Sequence, residues 1–177
     1  MATQHATERK EPATPPKATA EPVALVVERL SHENIPAVCA LYKRVWDAFR
    51  PELPSEILKS WEPTPLEFSS RMEGVTYFAA REGGKFLGAI GCAMADGSCQ
   101  FIQIVVDPEA RRRGIGSLLV RAGEDWARHN NVRSVWVDAL VRFNGAAEML
   151  KQLGFTESGV LHRHFWGEDV RFFEKLL

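Results

Sequence analysis

Cysteine is scarce in this chain. Cys39, Cys92 and Cys99 are odd in number and form no Cys-x-x-Cys pair, which argues against a disulfide framework or thiolate metal site and for reduced thiols in a core. Long hydrophobic runs are also missing: none approaches the roughly twenty residues of a membrane span. The N-terminus lacks the apolar core of a signal peptide. A cytoplasmic location, with no membrane partner and no metal, is the expectation. An excess of one charge is lacking as well. Twenty-two Lys and Arg against 23 Asp and Glu leave a net charge of -1, which gives no general pull toward nucleic acid. The run Arg111-Arg112-Arg113 is therefore a local feature.

What is present suits one domain. At 177 residues and 45% hydrophobic content, the chain can bury a sizeable core. Residues 1–22 mix Ala, Thr, Pro, Glu and Lys with almost no large apolar side chain. Such a segment cannot offset its ordering entropy and is expected to be a disordered tail, or one that docks elsewhere. Residues 23–177 then form the single domain.

Within it, Val23–Leu30 reads as a strand. Ser31 can cap a helix bearing Ile35, Val38, Tyr42, Val45 and Phe49 on one stripe. Pro51 and Pro54 break it, and a second helical region over 55–73 is interrupted by Pro63 and Pro65. Strands at 75–81, 85–93 and 99–106 are joined by Gly83-Gly84 and Asp96-Gly97, which are hairpin signals. A helix over 114–129, a strand over 134–138, a helix over 144–153 and closing strands over 156–166 and 170–176 follow. The 134–138 strand should run parallel to its predecessor, across a helical crossover.

The most informative stretch runs from Phe101 to Leu119. An apolar, β-branched strand ends at Asp107-Pro108, three arginines follow, and then Gly114-Ile115-Gly116 opens a helix. Glycines there let backbone N–H groups converge at the positive end of the helix dipole, a setting that suits a phosphate. No Gly-x-x-x-x-Gly-Lys-Ser/Thr loop exists. The dinucleotide pattern Gly-x-Gly-x-x-Gly fails at its third glycine, where Leu119 stands. Asp138 lies near the distance expected of a ribose carboxylate, so a dinucleotide stays an alternative.

The remaining pattern, Arg111-x-x-Gly114-x-Gly116, resembles the pyrophosphate loop of the GNAT superfamily of coenzyme-A-dependent N-acetyltransferases. Val106-Asp107-Pro108 before it and Leu153-Gly154-Phe155 after it are similar to that family too. The resemblance implies an α/β (α+β) GNAT fold: a mixed sheet of about seven strands, about four flanking helices, and a splayed parallel strand pair. It implies acetyl-CoA as cosubstrate. Backbone groups of Ile104, Val105 and Val106 would pair with the pantetheine arm, and the pyrophosphate would rest on N–H groups from Arg112 through Ser117 (Arg113, Gly114, Ile115 and Gly116 between them). Arg111 would stand beside it. Asn144 would be a further cofactor contact, one position later than family spacing. The first two helices would wall the acceptor cleft, making Trp46, Phe49 and Arg50 candidates for binding a small-molecule or peptide amine, with Trp61 and Met72 as further ones. A homodimer is common in the family.

Attack on a thioester needs a neutral amine. For a lysine-like amine of pKa about 10.4, neutrality at pH 7 costs about 4.6 kcal/mol, so a base is useful. The resemblance makes Asp138 the candidate base; a strand-end aspartate turned into its loop is the plain alternative. Gln100 and Gln103 occupy positions where other members use a carboxylate, and a glutamine cannot serve as base. His162 and His164, on one face by alternation, are further candidates. Family members often carry a tyrosine at the position of Leu150 to protonate the departing thiolate, and Tyr42 and Tyr77 lie in other elements. With a thiol of pKa about 8.5, that protonation is worth only about 2 kcal/mol at pH 7. A slower enzyme is one consequence; a non-catalytic acyl-CoA-binding sensor is the alternative.

Overall fold

A computed structural model describes residues 24–177; the expectation of a disordered tail over 1–22 lies outside them. Among the described residues, seven strands form one sheet in the order β1-β2-β3-β4-β5-β7-β6. In chain order they are β1 (Val26–Arg29), β2 (Val75–Glu82), β3 (Lys85–Ala95), β4 (Ser98–Val106), β5 (Ser134–Leu140), β6 (Thr156–Phe165) and β7 (Glu168–Leu176). Every pairing is antiparallel except β4 with β5. A parallel pair needs a crossover, and a single helix, α4 (Ile115–His129), supplies it.

Among the described residues, five α-helices cover the two faces. On one lie α1 (Ile35–Asp47), α2 (Ser55–Trp61) and α3 (Pro65–Met72); on the other lie α4 and α5 (Asn144–Gln152). The 55–73 region becomes two helices because Pro63 cannot continue α2 and Pro65 sits at the first position of α3. Thr64 and Glu67 cap that start reciprocally, Thr64 Oγ1 accepting from the Glu67 N–H and Glu67 Oε2 from the Thr64 N–H. The α1 stripe buries Ile35, Val38, Leu41, Tyr42, Val45 and Trp46, while Phe49 falls in the turn just beyond. The first strand is shorter than its apolar run, beginning at Val26.

Two hydrophobic clusters sit on opposite sides of the sheet. β3 is buried on both faces along most of its length, as a strand between two helical layers must be. Cys92 and Cys99 are fully buried free thiols and Cys39 is partly buried. No helix among the described residues is long and apolar enough to cross a membrane.

Candidate active site

The centre of the sheet is irregular in a way that creates a gap. β4 pairs with β5 only from Ser98↔Ser134 to Phe101↔Val137. Beyond that point β4 stays on β3, with Val105 opposite Ala89 and Val106 opposite Gly88. The edge of β4 that faces β5 is left without a ladder partner over 102–106 among the described residues. A bulge produces the divergence. Between Gly91↔Ile102 and Ala89↔Val105, β4 spends three residues where β3 spends two, and Gln103 adopts φ 51°.

The bulge is tied from the α1 side. Tyr42 Oη donates to the Gln103 carbonyl at 3.2 Å, and Tyr77 Oη to Gln103 Oε1 at 3.1 Å. Gly91 makes room for this: a Cβ there would come within 2.7 Å of Ile102 and 2.8 Å of Tyr77. Burial pushes the Tyr77 phenol up to about 12 and raises that of Tyr42 well above its ordinary value. Both hydroxyls are thus neutral donors with their bonds already made. Nothing in the local sequence marks Gln103 as a bulge except that it is a polar residue inside an apolar run.

At the floor of the gap stand Gln100 and Asp138, where Gln100 Nε2 donates to Asp138 Oδ1 at 3.0 Å. The bond fixes the carboxylate's orientation while leaving it exposed. Leu150, by contrast, is 1% exposed within the cluster under α4 and α5.

Above the gap comes the bend into α4. Asp107 is 2% exposed and ends β4. Its Oδ1 accepts from the Glu109 N–H at 3.1 Å, and its Oδ2 lies 3.2 Å from Arg44 Nε and 3.3 Å from Lys85 Nζ. Burial pushes its carboxyl up, but the N–H and the two cations outweigh this and hold it below the usual range. Arg112 (φ 63°) and Gly114 (φ 76°) then take left-handed conformations, and Gly114 serves as N-cap without any side-chain cap. Helix starts leave donors unsatisfied. Among the described residues, the N–H groups from Arg112 through Ser117 make no hydrogen bond; the first helical one is Leu118 N–H to the Gly114 carbonyl. Met149 Sδ would stand 2.6 Å from a Cβ at Gly116, so the backbone there is packed closely from behind. A row of free donors on a glycine bend fits a diphosphate.

The three arginines are not equivalent. Arg113 binds Glu82 through both ends, at 2.6 and 3.1 Å, and holds that carboxyl below its usual range. Arg111 lies 5.2 Å from the ring centre of Phe49, with Nε 3.4 Å from the Val106 carbonyl. Arg112 makes no ion pair among the described residues. Asn144 opens α5, and its Oδ1 accepts from Arg171 Nη2 at 3.3 Å.

The joint between α1 and α2 meets the far end of β5 through an aromatic cluster. Trp46 packs on Trp61 (4.6 Å between ring centres), Phe49 on Phe143 (5.2 Å), and Trp61 stacks on Phe165 (5.7 Å). Trp46 is 8% exposed, and its indole Nε1 is buried without a partner among the described residues. Arg50 reaches back to Asp47 and Glu62. Arg142, to which the sequence assigned no role, donates to the Glu52 carbonyl at 2.7 Å and doubly to Glu168. It clamps the helical joint to the start of β7. His162 Nδ1 lies 3.0 Å from Asp169 Oδ2. Arg163, at φ 51°, breaks the alternation that would set His162 and His164 on one face.

Comparison with known proteins agrees with this geometry. An uncharacterized N-acetyltransferase of Methanocaldococcus jannaschii is 28% identical, over 58% of this chain and 49% of its own length; the chain spans about half of that curated relative. Among solved structures, the ribosomal-protein-S18-alanine N-acetyltransferase of Escherichia coli superposes with a TM-score of 0.72 at 19% identity, covering 86% of this chain and 94% of that one. The paia N-acetyltransferase of Thermoplasma acidophilum, solved in complex with coenzyme A, gives 0.72 at 13%, covering 87% and 99%. These likenesses show the fold. The acetyltransferase (GNAT) family model matches residues 36–155, which span the gap, the bend and both flanking helices, and the chain accordingly belongs to the GNAT family of acetyltransferases.

Proposed function

We propose that this protein moves the acetyl group of acetyl-CoA to a primary amine by direct attack. The observation that carries this reading is one conjunction: uncommitted N–H groups over 112–117 stand at the head of a gap that opens beyond Phe101 and Val137. The diphosphate rests on those N–H groups, and Arg112 supplies charge that no carboxylate among the described residues neutralises. Arg111 and Arg113 flank it. The free edge at Ile104, Val105 and Val106 pairs with the amides of the pantetheine arm as an added strand would. Asn144 completes the cofactor set through its amide nitrogen, its oxygen being held by Arg171. Trp46, Phe49 and Arg50, packed and ion-paired at the α1–α2 joint, close the acceptor side at that end.

In the reaction, the amine nitrogen forms a bond to the acetyl carbon and the carbon–sulfur bond breaks. A backbone N–H near Val105 or Val106 holds the oxyanion. Asp138, aimed by Gln100, takes the amine proton directly or through water. The thiolate departs without a phenol, since Tyr42 and Tyr77 are both engaged at Gln103. The test is thiol release from acetyl-CoA against a panel of amines, alongside the melting shift that CoA induces. A CoA-induced shift without turnover of any amine would overturn the reading.

A further inference from the structure

The aromatic cluster and the Arg142 clamp fill the space between the α1–α2 joint and the start of β7. The opposite side of Asp138 is open. There a groove of about 490 Å³ crosses β5, β7 and β6, and Trp136, Phe172, Leu161, Gly159 and Glu174 contribute to its lining.

Register ties the groove to the reaction centre. Asp138 is paired with Phe172 and Trp136 with Glu174, while Gly159 lies across from Phe172 on the other side of β7. Directly opposed residues point to the same face, so Asp138, Phe172, Trp136 and Glu174 form one square of side chains. The rings of Trp136 and Phe172 lie 6.3 Å apart. Gly159 leaves part of the half-buried Phe172 ring accessible, and Leu161, 45% exposed, forms the rim. The square thus has two aromatic corners and two acidic ones. Among the described residues, no lysine or arginine pairs with Asp138 or Glu174.

We propose that this groove is the acceptor subsite, and that it selects small primary amines carrying an aromatic or bulky apolar group a few bonds from nitrogen. The inference rests on the acetyltransferase reading above. Two unneutralised carboxylates attract an ammonium, and aromatic faces favour both the cation and the apolar group beside it. An ammonium drawn to Asp138 gives up its proton there, and its apolar end lies over Phe172 and Trp136. A polar amine of the same charge gains only the first of these contacts.

Calorimetry with 2-phenylethylamine as probe and ethanolamine as polar control, with and without CoA, tests the assignment. Wild type should bind the probe at least about tenfold more tightly than the control. Trp136→Ala should cut this preference below about threefold, a loss matching removal of a well-packed apolar contact. The surface variant Leu161→Lys, which carries no folding burden, should weaken the probe by about tenfold through like-charge repulsion. Both variants should keep the CoA-induced rise in Tm. Equal binding of the two amines, or a preference surviving both variants, overturns the proposal. So does a wild-type dimer that Leu161→Lys dissociates without changing amine binding, since a second copy would then cover the groove. Loss of the CoA shift in wild type would instead strike the acetyltransferase reading, and the CoA-free titration would still decide the groove.

Discussion

The hydroxyl of Tyr42, on the first helix, donates to the backbone carbonyl of Gln103 in the fourth strand at 3.2 Å. That bond and its companion from Tyr77 hold the bulge at which β4 parts from β5. The two tyrosines of the chain therefore shape the cleft instead of supplying its acid.

Tyr42→Phe should leave a buried carbonyl short of a donor and cost about 1–2 kcal/mol of stability, readable by urea denaturation. It should also lower kcat/KM, because the bulge loses one of its two ties. Tyr77 adds a pH signature. Its phenol is raised to about 12 when folded, so its contribution is complete below an unfolded value near 10 and fades as pH rises toward 12. Tyr77→Phe should flatten that alkaline arm of the stability curve.

Asp138→Asn keeps the size and one acceptor of the side chain but cannot take a proton. Acetylation at neutral pH should fall by about a hundredfold or more if Asp138 is the base. CoA affinity should stay within about twofold, because the carboxylate sits at the floor of the gap and away from the N–H row. Steady-state kinetics beside a CoA titration separates the two, and a rate unchanged at pH 7 would remove Asp138 from the mechanism.

Arg112→Ala and Arg113→Ala should differ although the residues are neighbours. Arg113 is held by Glu82 at 2.6 Å, so its charge is largely spoken for, whereas Arg112 has no carboxylate partner among the described residues and can face a phosphate. Removing Arg112 should weaken CoA by about 1–2 kcal/mol, within the range for a charge-assisted contact; removing Arg113 should cost less. Glu82→Gln should release Arg113 and tighten CoA at low ionic strength. Calorimetry across a salt series reads all three.

Asp107→Ala removes the acceptor for the Glu109 N–H and the partner of Arg44 and Lys85. A loss of about 2 kcal/mol is expected from the cap and the charged bonds together. The folded carboxyl is held below its ordinary value. Its stabilisation is therefore present above an unfolded value near 3.9 and is lost as pH falls through the lowered one. Wild type should show this acid arm in melts between about pH 5 and 2, and the variant should lack much of it.

Much of this architecture was legible beforehand because its signals are local. Proline and glycine positions set the breaks at 51–54, 63–65, 83–84 and 96–97, and the apolar period gave α1 and α4. The ordered set from Val106-Asp107-Pro108 to Leu153-Gly154-Phe155 pointed to the family that the comparison then showed. The six strands from Val75 onward lie within a few residues of the expected bounds. Side-chain partners were not legible. That Arg113 meets Glu82, 31 residues away, depends on β2 passing under the bend. His162 and His164 lost their shared face to a bulge at Arg163 that no proline or glycine announces.

The sequence by itself determined the order of elements, the parallel crossover and a glycine bend with bare donors at the start of α4, since each follows from residues close together in the chain. The tertiary structure alone decided where the sheet opens and what faces the opening. Gln103 bulges because Tyr42 and Tyr77 reach it from 61 and 26 residues away. Trp136, Asp138, Phe172 and Glu174 share a face because β7 folds back beside β5. Such groupings are contacts between distant segments, and they exist only once the packed sheet has fixed the register.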